Sequence, residues 1–79
     1  MKEIGEFLKG KREEKGVSLI EVEDTLKIRK KYLLALEEGN LNAMPGKTYI
    51  IGYLRNYCKY LDVENEKIKR IIQTYKNIE

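Results

Sequence analysis

Histidine and tryptophan are absent from this 79-residue chain, and proline, phenylalanine and cysteine occur once each. Without histidine the chain lacks the commonest general base and metal ligand near neutral pH. The single Cys58 cannot form an internal disulfide, so a reducing compartment is expected. It also has no activating base, and a small apolar filler at the edge of the core is the better reading of it. No apolar run approaches the ~20 residues that span a bilayer, and Met1 to Phe7 has no signal-peptide core. The six glycines are isolated, so no phosphate-cradling loop is present. The acidic residues are scattered without the spacing of a metal-binding loop. These absences argue against an enzyme and against any cofactor, metal or small-molecule substrate, and predict a cytoplasmic protein.

What is present is a chain 42% apolar and 37% charged, with 16 basic and 13 acidic residues and a formal charge of +3. That balance suits one small, heavily solvated folded domain over residues 1–79 rather than a disordered segment. A modest positive charge permits nucleic acid or an anionic surface as partner without requiring either. The densest cluster is Lys27, Arg29, Lys30 and Lys31.

Gly16, Gly39 and Met44-Pro45-Gly46 punctuate a helical periodicity, which predicts an all-α fold of five helices at about 3–15, 18–26, 29–38, 47–61 and 65–76. Ile4, Phe7 and Leu8 form the apolar side of the first. Ser18-Leu19-Ile20-Glu21 reads as a capping box opening the second. A tight turn at Lys27 and Ile28 leads to the third, giving a helix-turn-helix packed through Val22, Ile28, Leu33 and Leu36. Asn40 to Gly46 is a loop pinned by Leu41 and Met44. Ile68, Ile71, Ile72 and Tyr75 give the last helix its core face.

The fourth helix has two faces. At about 100° per residue, Ile50, Leu54, Tyr57 and Leu61 fall within roughly 60° of one another and form a core stripe, with Cys58 at its edge. Tyr49, Tyr53 and Tyr60 fall together about 100° away, with Asn56 beside them. Tyrosine suits interface hot spots because it offers a large rigid surface with a polar tip. Packing against another part of the domain would use the same residues, and spacing alone leaves both readings open.

From Ser18 to Gly39 the chain resembles the phage-repressor class of helix-turn-helix, a resemblance that implies a structural ion pair between Arg12 and Glu37. Ile28-Arg29-Lys30-Lys31-Tyr32-Leu33, Ala35-Leu36-Glu37-Glu38-Gly39, Met44-Pro45-Gly46 and Tyr49-Ile50-Ile51-Gly52-Tyr53-Leu54-Arg55-Asn56-Tyr57 together resemble the cytoplasmic domain of RodZ, the bacterial cell-shape factor. The likeness runs from about Ile4 to Tyr75, and the segment from Pro45 to Leu61 is the part that ordinary repressors lack. It implies an adaptor that binds MreB, the bacterial actin, through aromatics corresponding to Tyr49 and Tyr53. Asn56 and Tyr60 would extend that face, and Arg55 and Lys59 would add charge at its rim. The chain departs from the family at Glu23, where a small alanine is usual, at Asp62, a common glycine site, and at Asn65, a common proline site. As read, it stops short of the family's membrane helix, so a membrane would be a partner only through a downstream segment. In such a longer chain the domain would sit at the cytoplasmic face of the inner membrane.

The competing reading is a DNA-binding transcriptional regulator. A helix-turn-helix lays its third helix in the major groove, where Lys27, Arg29, Lys30 and Lys31 would meet phosphates in weak, salt-sensitive binding. The same cations could form only a solvated face or, in a membrane-anchored chain, meet anionic lipid. The positions beyond them hold Tyr32, Leu34, Ala35, Glu37 and Glu38. Side chains that make bidentate contacts to bases are missing there, and the two glutamates would repel the phosphate backbone.

Overall fold

A computed structural model describes residues 2–77; Met1, Ile78 and Glu79, which the expected domain includes, lie outside the described residues. The fold is all-helical, with helices α1 (Lys2–Lys15), α2 (Leu19–Leu26), α3 (Lys30–Glu38), α4 (Lys47–Tyr60) and α5 (Asn65–Lys76). A short 3-10 turn, Leu41–Ala43, lies inside the expected loop.

The helix bounds differ from those expected of the periodicity chiefly at caps. Ser18 has extended backbone and caps α2, its hydroxyl accepting from the Glu21 amide while the Glu21 carboxylate accepts from the Ser18 amide. Arg29 similarly precedes α3, and Leu61 closes α4. Gly16 and Gly39 both take positive φ after α1 and α3, the left-handed turn that ends helices at low cost when no Cβ is present.

The core lies where α1, α3, α4 and α5 converge. Leu8, Val22, Leu33, Leu36, Leu54, Tyr57 and Cys58 are fully buried, and the α5 face of Ile68, Ile71, Ile72 and Tyr75 covers them. Cys58 is therefore inside the core and not at its edge. The helix is packed on that side by α5, which the periodicity of α4 alone does not reveal. Ile4 and Phe7 are only partly buried and flank the core, because Leu8 takes the inward position on α1.

The α1–α3 contact is the most extensive, and Gly5 makes it close. A Cβ there would stand 2.2 Å from the carbonyl oxygen of Glu37. No helix among the described residues is long and apolar enough to cross a membrane.

Candidate functional site

Tyr53 lies at the centre of an aromatic ladder. Its ring stacks on Tyr32 of α3 with centroids 5.9 Å apart and planes 25° from parallel. On its other side Tyr49, one turn earlier on α4, lies 5.8 Å away at 37°. Lys31 extends the row, with Nζ 5.2 Å from the Tyr32 ring centroid. Aromatic pairs of this kind contribute ~0.5–1.5 kcal/mol beyond area burial, so Tyr53 is held in place by α3. Tyr49 at the end of the ladder is 52% exposed, an unusual position for so much ring surface. Asn56 is exposed farther along the same side. Tyr60 is half-buried at the far end, where Lys15 lies 5.5 Å from its ring centroid and 3.1 Å from Asp62.

Both sequence readings of the tyrosine stripe thus apply to parts of it. Tyr53 and Tyr60 pack against the domain, and Tyr49 presents its ring outward. Tyr32 escaped the sequence reading, which placed it on a DNA-reading surface. Its position on the α3 side opposite Lys30 and Leu34 was the available signal.

Arg55 and Lys59 lie about 120° and 80° around α4 from Tyr49. They line a groove between α4 and α5, with Lys69 and Lys76 of α5. Their helical positions lean away from the tyrosines, and α5 packs on that side.

Glu37 of α3 is a buried carboxylate, 5% exposed. Arg12 donates to it from Nε at 2.7 Å and Nη2 at 3.2 Å, and the buried Tyr57 hydroxyl donates as well. Arg12 Nη1 also reaches the Val17 carbonyl at 3.0 Å. The hydrogen bond to Glu37 raises the Arg12 pKa. Burial, followed by the hydrogen bond to Glu37, raises that of Tyr57 far above its ordinary value. This network ties α1, α3 and α4 together.

The basic cluster Lys27, Arg29, Lys30 and Lys31 is exposed at the start of α3, yet acids accompany it. The Glu23 carboxylate accepts from the Lys30 backbone amide at 2.7 Å, occupying the helix terminus that would otherwise favour a phosphate. Asp24 lies 3.9 Å from Lys27. Further along α3, Ala35 and Glu37 are buried and cannot face a DNA groove. Leu34 and Glu38 remain on the outer side.

A sequence profile for a helix-turn-helix domain family matches residues 7–68. The chain belongs to that family. The helix-turn-helix match extends beyond the α2–turn–α3 unit to α4 and the start of α5, and it points to no enzyme family. A bacterial relative, the uncharacterized membrane protein YmfM of Bacillus subtilis (strain 168), is 35% identical over 52 residues. That alignment takes in 66% of this chain but 18% of YmfM, so the chain spans less than a fifth of that protein's length. No solved structure matches the chain significantly.

Proposed function

We propose that this helix-turn-helix domain is a non-catalytic adaptor that docks the actin-like protein MreB through the tyrosine side of α4. It thereby links that cytoskeletal protein to the membrane for cell-shape control. The observation that carries the reading is the ladder Tyr32–Tyr53–Tyr49, a rigid aromatic surface whose outermost ring is exposed. Tyr49 and Tyr53 are also the positions at which the chain resembles RodZ. Asn56 supplies a polar neighbour and Tyr60 a distal contact. A membrane setting is supported by the relative YmfM, whose name describes a membrane protein.

The α3 surface favours this reading over a DNA-binding regulator. Its exposed cations are followed by Leu34 and Glu38, whereas base readout needs planar polar groups such as Asn, Gln or Arg. Co-sedimentation with MreB filaments tests the proposal. Tyr49→Ala should weaken binding by about 2 kcal/mol, roughly thirtyfold, if Tyr49 is an interface hot spot. Lys30→Ala/Lys31→Ala should have a much smaller effect. Wild-type protein that fails to pellet with filaments would overturn the proposal. Salt-dependent DNA binding lost in the lysine pair would then support the regulator.

A further inference from the structure

The groove between α4 and α5 holds four exposed cations, Arg55, Lys59, Lys69 and Lys76, against one lining carboxylate, Glu66. Glu66 lies 3.7 Å from Lys69, and both side chains are more than three-quarters exposed, so water largely screens that pair. Removing these four cations and one carboxylate from the chain's 16 basic and 13 acidic residues leaves twelve of each. The groove therefore holds an excess equal to the net charge of the whole molecule. The cluster at the start of α3 differs, because Glu23 and Asp24 are set among its cations.

We propose that the α4–α5 groove is a membrane-contact surface that rests on anionic phospholipid headgroups. The choice of a lipid surface rests on the membrane setting of the adaptor reading. The groove's form suits a broad anionic surface. Its cations are at the ends of long flexible stems, and beneath them lie the buried Ile68 and Ile72. A charged leaflet attracts such groups largely according to their number, without demanding fixed geometry. Because the exposed Tyr49 ring lies about 80–120° around α4 from Lys59 and Arg55, a protein partner and a bilayer can be engaged together.

Each cation near an anionic leaflet strengthens binding by about fivefold. The test is co-sedimentation of the 79-residue chain with vesicles of phosphatidylcholine, with and without phosphatidylglycerol. Wild type should pellet only with phosphatidylglycerol and dissociate as salt rises. The variant Arg55→Gln/Lys59→Gln/Lys69→Gln/Lys76→Gln should bind about six-hundredfold more weakly. Lys27→Gln/Arg29→Gln/Lys30→Gln/Lys31→Gln, which removes equal charge from α3, should retain most binding. Circular dichroism checks folding, and if the groove variant is unfolded its two halves, one per helix, should each lose part of the affinity.

Equal loss in the two four-site variants would overturn the proposal, since net charge alone would then account for it. So would failure of wild type to pellet, or groove-dependent binding to DNA in place of vesicles. The groove variant should still pellet with MreB, and Tyr49→Ala should still bind vesicles. Failure of this inference is thereby distinct from failure of the adaptor reading.

Discussion

Glu37 and Cys58 show how much of this small domain's stability depends on single buried groups. A carboxylate taken out of water costs several kcal/mol unless charge and hydrogen bonds replace its hydration, and Arg12 and Tyr57 supply both. Arg12→Ala should therefore destabilise the fold by about 3–5 kcal/mol in urea titrations, because it leaves a buried charge unpaired. Tyr57→Phe removes only one donor and should cost about 1–3 kcal/mol. A loss near zero for Arg12→Ala would mean that water reaches Glu37. At Cys58, burial pushes the thiol pKa up to about 11 from its ordinary 9.0. Between those values the unfolded chain releases its proton and the folded chain retains it. Stability contributed by this group is thus complete below pH 9 and declines as pH rises toward 11, by roughly 2–3 kcal/mol. Cys58→Ala should flatten the stability profile between about pH 9 and 10, below the range in which Tyr57 and Tyr75 act. Tyr75, also raised by burial, to about 12, would still impose a decline above pH 10.

At the scale of elements, features set by local rules were legible in the sequence. The Ser18–Glu21 capping box, the glycine stops and the core stripe of α4 each depend on spacing within one segment. Features set by how helices face one another were legible only where resemblance or the helix-turn-helix pattern supplied them, as for Arg12 with Glu37. Tyr32 against Tyr53, Tyr57 against Glu37, and Arg55 and Lys59 beside α5 all require interhelical orientations that periodicity does not contain. Gly5 is the clearest case, since nothing within α1 distinguishes it from Gly10, yet only Gly5 lies against the α3 backbone. Gly5→Ala should cost about 1–3 kcal/mol or more, because the obstruction is main chain that must shift. The turn between α2 and α3 offers the opposite prediction. Lys27 adopts left-handed backbone, φ 59° and ψ 34°, a conformation that glycine takes more readily. Lys27→Gly should stabilise the domain by about 0.5–1 kcal/mol, read as a rise of several degrees in thermal midpoint.

At the scale of the whole molecule, the two surfaces of α4 depend on different forces, and salt should separate them. The tyrosine side offers aromatic area with little charge of its own, apart from Lys31 at one end of the ladder and Lys15 beside Tyr60. Burial of such area is insensitive to moderate ionic strength and is strengthened by excluded salts. The groove side offers exposed cations, whose attraction to an anionic leaflet fades as the Debye length contracts from about 10 Å at 0.1 M to about 3 Å at 1 M. In a mixture of MreB filaments and phosphatidylglycerol vesicles, the wild-type chain should link the two at low salt, beyond any attachment the filaments make alone. Raising the salt should release the vesicles first and leave the domain on the filament. Tyr49→Ala should give the converse result at low salt, with the domain on vesicles and off filaments. If both attachments were instead lost over the same salt range, charge would govern filament binding too, and Lys31 and its neighbours on α3 would become the residues to test there.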